Sequence, residues 1–224
     1  MHRKQSLVLS GMLCAGLLLS ACGSSSSAAE PVHIDQSELP YGATLSLNTQ
    51  YGVPVQYDTR YLEDGLIEAI GHYYHAIEKN DAAEFSSVLF PLYHNYELNT
   101  VYEGQIDDAG IVSNSFYILQ DYYGKEFDFA LASVESIITA DDVKPGRDAL
   151  KNMLIDLAAD EKVENFKEDF DALYELDLTL YLTDKGSGIQ SETEFSIPNE
   201  TLYGVHYQGQ WYLIYVYSSG QEAS

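Results

Sequence analysis

The chain has little positive charge and little cysteine, and each shortage excludes a class of function. Its 224 residues include 11 lysines and arginines against 35 aspartates and glutamates, which gives a formal net charge of −24. This balance argues against nucleic acid as a partner, because phosphates need basic contacts, and against a basic patch for anionic lipid. The two cysteines, Cys14 and Cys22, lie near the start of the sequence. The remaining chain therefore has no thiol for a disulfide, a thiolate metal site or a cysteine nucleophile.

Apolar residues are not scarce. They make up 46% of the chain, and aromatic residues make up 12%. This content is enough to bury a core, so the high charge does not indicate disorder. The length favours one folded domain of about 170 to 190 residues.

The chain also has no long apolar run. The longest, Leu7 to Leu19, is too short to span a bilayer comfortably and contains Ser10, Gly11 and Gly16. Positively charged residues precede it at positions 2 to 4, and small residues follow it at positions 20 and 21. This three-part pattern predicts a secretory signal over residues 1–21.

The end of that signal, Leu19-Ser20-Ala21-Cys22, resembles the lipobox of bacterial lipoproteins. In that family a diacylglyceryl group is attached to the cysteine thiol, and the chain is cut just before this residue. The resemblance implies lipidation of Cys22, with the protein anchored in the cell membrane on its extracytoplasmic face. Two buried acyl chains give stable anchoring, whereas one gives marginal binding. The alternatives are an ordinary cleaved signal followed by a stray cysteine, or a short membrane helix.

The rest of the chain divides by composition. Residues 22–30 are rich in glycine, serine and alanine, which predicts a flexible tether. Residues 31–58 mix prolines and glycines with apolar residues, which predicts an irregular arm with extended pieces at 43–47 and 53–57. Residues 59–218 are predicted to form the domain, and residues 219–224 a tail. Without residues 1–21 the chain has 9 basic and 35 acidic residues, so its formal charge is −26 (9 minus 35).

Hydrophobic periodicity predicts both helices and strands within the domain. Helices are predicted over residues 62–77, 81–92, 111–123 and 145–158. Asp58 or Thr59 is the expected first cap, and Pro91 is expected to bend or end the second helix. Strands are predicted over residues 126–138, 174–182, 192–197, 201–207 and 211–217. We therefore expect an α+β fold, with N-terminal helices packed on a curved, mainly antiparallel sheet of about five strands.

Two segments resemble the NTF2-like, or cystatin-like, cone-shaped α+β domains. Residues 73–81, YYHAIEKND, followed by Phe85, resemble the first helix and helix junction of that family. Residues 203–213, YGVHYQGQWYL, resemble its closing hairpin. The resemblance implies a cone over about residues 60–217, with the third helix and the arm as additions. Residues 39–45 of the arm also resemble segments of clostridial-type lipoproteins, which implies no activity.

NTF2-like domains include ketosteroid isomerase-like enzymes, which use a carboxylate base and an acidic hydrogen-bond donor inside the cone. On the predicted strands, the carboxylates Asp128, Glu175 and Asp177 alternate with apolar residues. They are therefore expected to point away from the buried face as solvated side chains. An enzyme of isomerase or lyase type, with an acid/base site inside the cone, is the alternative hypothesis; it has no named catalytic residue.

Histidines and acidic pairs raise the question of a metal site. His72 and His75 lie three residues apart on a predicted helix, and with Glu68 or His94 they could bind zinc. Surface or half-buried histidines are the favoured interpretation, because one pair at this spacing is a weak zinc signal. The acidic clusters, such as Asp107-Asp108, lack the spacing and the glycine of an EF-hand and are expected to be solvated. No metal and no cofactor is predicted.

The chain has 19 tyrosines, and tyrosine suits a binding surface because it has an apolar ring and a polar end, although many of the 19 are expected to be core or sheet-surface residues. The candidate ligand-binding residues are Tyr73, Tyr74, Tyr123, Tyr207 and Trp211. The chain lacks the Gly-x-Ser-x-Gly, P-loop, Rossmann and His-Glu-x-x-His motifs. We therefore expect a non-enzymatic, lipid-anchored domain that binds a protein, a glycan or a small ligand through a cone pocket or a tyrosine-rich surface.

Overall fold

The computed structural model describes residues 39–139, 144–187 and 195–215. The predicted signal, the lipidation site Cys22, the tether, the start of the arm and the tail lie outside the described residues. The described chain combines helices with one six-stranded sheet, so the predicted α+β class is confirmed. The cone shape of the NTF2-like domains stays a prediction.

The six strands lie in the sheet in the order of the chain. They are β1 (Leu45–Asn48), β2 (Val55–Asp58), β3 (Phe127–Ile138), β4 (Phe170–Asp184), β5 (Phe195–Tyr207) and β6 (Gln210–Tyr215). Neighbouring strands are antiparallel, except that β2 and β3 are parallel. The sheet is therefore mainly antiparallel as predicted, with six strands where about five were expected.

Six α-helices are described; the first, fourth and fifth lie close to predicted helices, the second and third overlap the helix predicted over residues 81–92, and the sixth was not predicted. They are α1 (Asp64–Lys79), α2 (Ala82–Val88), α3 (Pro91–Tyr96), α4 (Asp108–Tyr123), α5 (Pro145–Asp160) and α6 (Phe166–Asp169). A π-helical turn, Glu97–Val101, follows α3 directly. Pro91 ends the predicted second helix and begins α3, because a proline in the first turn has no need of a backbone N–H.

The prediction that Asp58 or Thr59 caps the first helix is wrong. Glu63 is the N-cap of α1, and Asp58 ends β2 as a fully buried residue. The Asp58 carboxylate accepts hydrogen bonds from the Gly42 N–H at 2.9 Å, the Thr44 hydroxyl at 2.6 Å and the Arg60 Nε–H at 2.9 Å. Aspartate is a common helix cap, but the Asp58 carboxylate instead attaches residues 42–44 to the sheet.

The predicted strands at 192–197 and 201–207 are joined in one strand, β5. Its pairing with β4 shifts register between Leu178 and Leu180, where Pro198 and Asn199 of β5 stand opposite a single residue. Asn199 has a left-handed backbone, with φ of 64°. The Pro-Asn pair that interrupts the apolar pattern is therefore a β-bulge within a strand.

Helices cover both faces of the sheet. On one face, α1, α2 and α4 pack over the main core, whose fully buried side chains include Leu66, Ile70, Phe85, Phe127, Leu178 and Leu182. On the opposite face, α5 and α6 complete a second core that contains Phe90, Leu154, Phe166, Leu173, Val205 and Ile214. Alternate residues of β4, β5 and β6 serve the two cores in turn.

The second core buries one of the strand carboxylates that were expected to be exposed to solvent. Glu175 points away from the main core, but it is 6% exposed and its Oε1 lies 3.0 Å from Lys144 Nζ at the start of α5. The expectation of a solvated Glu175 is therefore wrong, because a helix covers that face too. Asp128 and Asp177 are half-buried and accept hydrogen bonds from the Gly186 N–H and the Ser136 hydroxyl.

Candidate ligand-binding groove

A groove of about 940 Å³ lies beside the second core. Three parts of the fold line it: α3 with the π-helical turn, the end of α5 with the segment after it, and the β5–β6 hairpin. These parts are far apart in sequence and meet only in the folded domain. The volume lies within the range of small-molecule sites.

Four of the aromatic rings that line the groove pack against one another. The Phe90 ring is 2% exposed, and its centroid lies 5.5 Å from that of Tyr207, 5.9 Å from Tyr212 and 6.4 Å from Phe166. These separations are typical of interacting aromatic pairs, so the rings hold one another in place. Tyr207 and Tyr212 are half-buried and line the groove. Burial, together with the nearby carboxylate of Asp169, raises the pKa of Tyr207.

The wall formed by α3 is attached to the sheet through the backbone. The Phe90 N–H donates to the Leu213 carbonyl of β6 at 2.9 Å, immediately before α3 begins. The π-helical turn after α3 then places Asn99 and Thr100 in the lining. The Asn99 side-chain amide donates to the Asn95 carbonyl at 2.8 Å. Single π-helical turns occur frequently at functional sites, which makes this wall notable.

The polar lining is neutral or acidic. The charged lining residues within the described chain are Asp160 at the end of α5 and Glu161 directly after it. Side-chain amides of Asn95, Asn99 and Gln208 add neutral donors and acceptors. The groove thus combines aromatic rings, amides and two carboxylates.

Of the five residues predicted to bind ligand, Tyr207 lines this groove. Tyr73 and Tyr74 are buried in the main core, at 6% and 3% exposed, and burial raises the pKa of Tyr74 well above its ordinary value. Tyr123 is half-buried at the end of α4, where its hydroxyl donates to Asp184 Oδ1 at 2.9 Å. These tyrosines therefore do not converge on one site.

Trp211, the fifth predicted residue, faces the main core rather than the groove. It is 7% exposed, and its indole N–H donates to Glu63 Oε2 at 3.0 Å. Tyr212, the next residue, lines the groove on the opposite face. Successive side chains of β6 point to opposite faces of the sheet, so Trp211 and Tyr212 lie on different faces. This alternation is the sequence signal that could have identified Tyr212 as a lining residue. No comparable local signal distinguishes Phe90 or Tyr96.

A buried polar cluster lies next to the groove wall, where α3, the π-helical turn and α4 meet. His94 is 7% exposed; its Nε2 lies 2.7 Å from Asp108 Oδ1, and its Nδ1 lies 3.8 Å from Glu97 Oε2. Burial alone would lower the pKa of His94, but Glu97 and Asp108 raise it above its ordinary value. Burial and the Glu97 charge also raise the pKa of Tyr215. The groove lining does not include these residues, so the cluster supports the wall.

The histidine pair considered for zinc is engaged in hydrogen bonds. His72 Nδ1 lies 2.6 Å from Glu84 Oε1, and His75 Nδ1 lies 2.8 Å from Glu84 Oε2. Glu68 is 3.9 Å from His72 Nε2, whereas His94 belongs to the other cluster. Within residues 39–139, 144–187 and 195–215, no group of three or more histidine, cysteine or acidic side chains could hold a metal ion.

Comparison of the chain with protein-family models, with curated proteins and with solved structures finds no match. In the described part of the chain, no helix is both long enough and apolar enough to cross a membrane. Functional inference for this protein therefore rests on the chemistry of the groove and on the N-terminal sequence pattern.

Proposed function

We propose that this protein is a lipid-anchored, extracytoplasmic binding protein that takes a small ligand in the aromatic groove. The observation that carries the proposal is the groove itself. It places the half-buried rings of Tyr207 and Tyr212 beside side-chain amides in a volume of about 940 Å³. Apolar surface with a few polar groups is the usual composition of a small-molecule site.

The chemistry of the lining supports binding rather than catalysis. Tyrosine rings offer rigid contact area, and amides orient a ligand through hydrogen bonds. The described lining contains no histidine, cysteine or lysine to act as a nucleophile or as a general base near neutral pH. Its two carboxylates lie on exposed residues, Asp160 and Glu161.

The enzyme hypothesis, with an acid/base site inside a cone, has less support. It needs a deep cavity with convergent polar groups on the main-core face of the sheet. That face of β4 is filled by leucines that are at most 1% exposed, namely Leu176, Leu178, Leu180 and Leu182. The groove lies on the other face, which favours a binding role.

The lipobox and the tether support the proposed location. Residues 22–30 include four serines, and this composition is typical of a tether between a lipid and a folded domain.

The anchor is tested by intact-mass spectrometry of the membrane fraction, with Cys22→Ala as the variant. We expect a wild-type chain that starts at Cys22 and carries a diacylglyceryl group. In the variant both the added mass and the membrane retention should be lost. A wild-type chain that is released without lipid would overturn the proposed location.

The groove is tested by ligand-observed NMR with benzyl alcohol and benzyltrimethylammonium as probes. We expect Tyr207→Leu to remove the signal of bound probe, because Tyr207 forms the apolar surface. Tyr96→Leu, at the half-buried edge of the lining, is a second variant that disturbs the core less. Tyr122→Leu is the control, since Tyr122 is 65% exposed on α4. Thermal melting confirms that each variant is folded. Binding unchanged in both groove variants, or absent from wild type, would rule out the groove as the site.

A further inference from the structure

The charged residues that line the groove are all acidic. Its charged lining residues, as far as the chain is described, are Asp160 and Glu161, and lysine, arginine and histidine are absent from the lining. The basic residue next in sequence, Lys162, lies between lining residues but does not line the groove itself. No described ion pair includes Asp160 or Glu161. The two carboxylates are therefore available to a ligand.

The aromatic lining also attracts cations. The face of a tyrosine ring carries partial negative charge, so it attracts a cation placed within about 6 Å of the ring centroid. Tyr96, Tyr207 and Tyr212 supply three such rings in the lining. A ligand with an apolar body and a positive head can contact the rings and the carboxylates together. An anion would meet two like charges with no compensating base.

From this juxtaposition of three tyrosine rings with two unpaired carboxylates, we infer that the groove selects small organic cations. The inference rests on the proposed function and names the ligand class of the same site. It goes beyond the general prediction of a small ligand, because it excludes anions and ranks neutral molecules, sugars included, below cations of the same shape.

The net negative charge of the whole protein also favours cations. A formal charge of −24 produces a field that raises the local concentration of cations around the domain. This contribution is screened over about 8 Å at physiological ionic strength. Added salt should therefore weaken cation binding and leave the binding of a neutral analogue unchanged.

The test compares three probes that share a phenyl ring, by NMR titration against the full chain: benzyltrimethylammonium, benzyl alcohol and benzenesulfonate. We expect the cation to bind about tenfold more tightly than the sulfonate, because two exposed carboxylates each contribute a few-fold. Benzyl alcohol should lie between them. A neutral probe that binds as tightly as the cation would overturn the inference.

A double variant, Asp160→Asn with Glu161→Gln, isolates the role of the carboxylates. We expect it to weaken benzyltrimethylammonium binding about five-fold and to leave benzyl alcohol unaffected. The matched control is Asp156→Asn with Glu164→Gln, which removes the same charge from exposed positions outside the lining. Equal losses in the two double variants would mean that the field of the whole protein, rather than the groove, attracts the cation, and would overturn the inference.

The Tyr207→Leu variant separates the two proposals. If this variant abolishes the binding of all three probes while their affinities in wild type are equal, the groove is the site and the cation preference is wrong. If Tyr207→Leu and Tyr96→Leu both leave cation binding intact, both the groove site and the inference about its ligand fail.

Discussion

His94 Nε2 lies 2.7 Å from Asp108 Oδ1, and this contact joins α3 to the first residue of α4. His94 belongs to α3, which continues directly into the π-helical turn that forms one wall of the groove. The other ring nitrogen faces Glu97, a carboxylate that is 5% exposed. A charged imidazole between two carboxylates compensates for the burial of Glu97, whereas a neutral one does so less well.

The stability of the domain should therefore fall as the pH rises through the pKa of His94. That pKa is raised above the ordinary value of 6.5, since the two carboxylates outweigh burial. A raised histidine pKa stabilises the fold fully below the unfolded value, and this contribution disappears above the folded value. We expect the wild-type Tm to drop as the pH rises from the ordinary histidine pKa of 6.5 through the raised pKa of His94, and to drop less in His94→Gln.

The control for this prediction is Tyr122→Leu, because Tyr122 is 65% exposed near the opposite end of α4 from Asp108. It should keep the pH dependence of the wild type. The prediction fails if His94→Gln and wild type lose the same Tm over that range.

Asp58 should be the residue that makes the attachment of residues 42–44 sensitive to acid. The Arg60 guanidinium beside it, helped by the Thr44 hydroxyl, holds the pKa of Asp58 well below its usual range despite burial. A lowered carboxyl pKa stabilises the fold above its ordinary value of 3.8, and this contribution is lost as the pH falls through the lowered value. We expect Asp58→Ala to lose about 3 kcal/mol at pH 7, measured by urea unfolding.

The matched control for Asp58→Ala is Asp121→Ala, on the exposed side of α4. Its free energy of unfolding should stay within about 0.5 kcal/mol of wild type. Similar losses in the two variants would show that the buried Asp58 carboxylate has no special structural role.

Gly71 should tolerate no side chain. Its carbonyl accepts the Val53 N–H at 3.2 Å, and a Cβ at this position would collide with the backbone carbonyl of Tyr51. Because a backbone atom cannot rotate aside, we expect Gly71→Ala to destabilise the domain by about 2 kcal/mol. At Gly146, in the first turn of α5, a Cβ meets nothing within 4 Å. Gly146→Ala should therefore stabilise the domain by about 0.5 kcal/mol in the same urea titration.

Zinc should not bind stoichiometrically at the His72 and His75 pair. Both Nδ1 atoms already face the oxygens of Glu84, and the described residues bring no further ligand into range. We expect the Tm to be the same with zinc and with a chelator. A zinc-dependent rise in Tm that His75→Gln abolishes would contradict this interpretation.

Local patterns were enough to predict most elements. The strict alternation of leucines at 176, 178, 180 and 182 predicted a strand, and β4 contains it. Gly124 directly follows the helix predicted over residues 111–123, and it is the left-handed C-cap of α4. Asp81 is the first residue of the second predicted helix, and its carboxylate caps α2 by accepting the Ala83 and Glu84 N–H groups. Such signals depend on a residue and its neighbours within one or two turns, so they are readable in one sequence.

The candidate site could not be predicted in the same way. Five residues were selected for their aromatic type, but strand alternation and core packing place Tyr207 in the groove and Trp211 on the opposite face. The second core over the face that carries Glu175 was also missed, because a carboxylate between leucines is equally consistent with water or with a covering helix. Only the position of α5 distinguishes these environments.

By itself, the sequence determined the α+β class, the approximate bounds of most helices and strands, and the acidity of the chain. It also carries the lipobox pattern from which the anchor is proposed. Tertiary structure alone decided that β5 is continuous through its bulge, that helices cover both faces, and that segments around Phe90, Asp160 and Tyr207 form one groove. The physical reason is distance along the chain. Periodicity and capping depend on neighbouring residues, whereas a groove depends on contacts between residues about 50 to 120 positions apart.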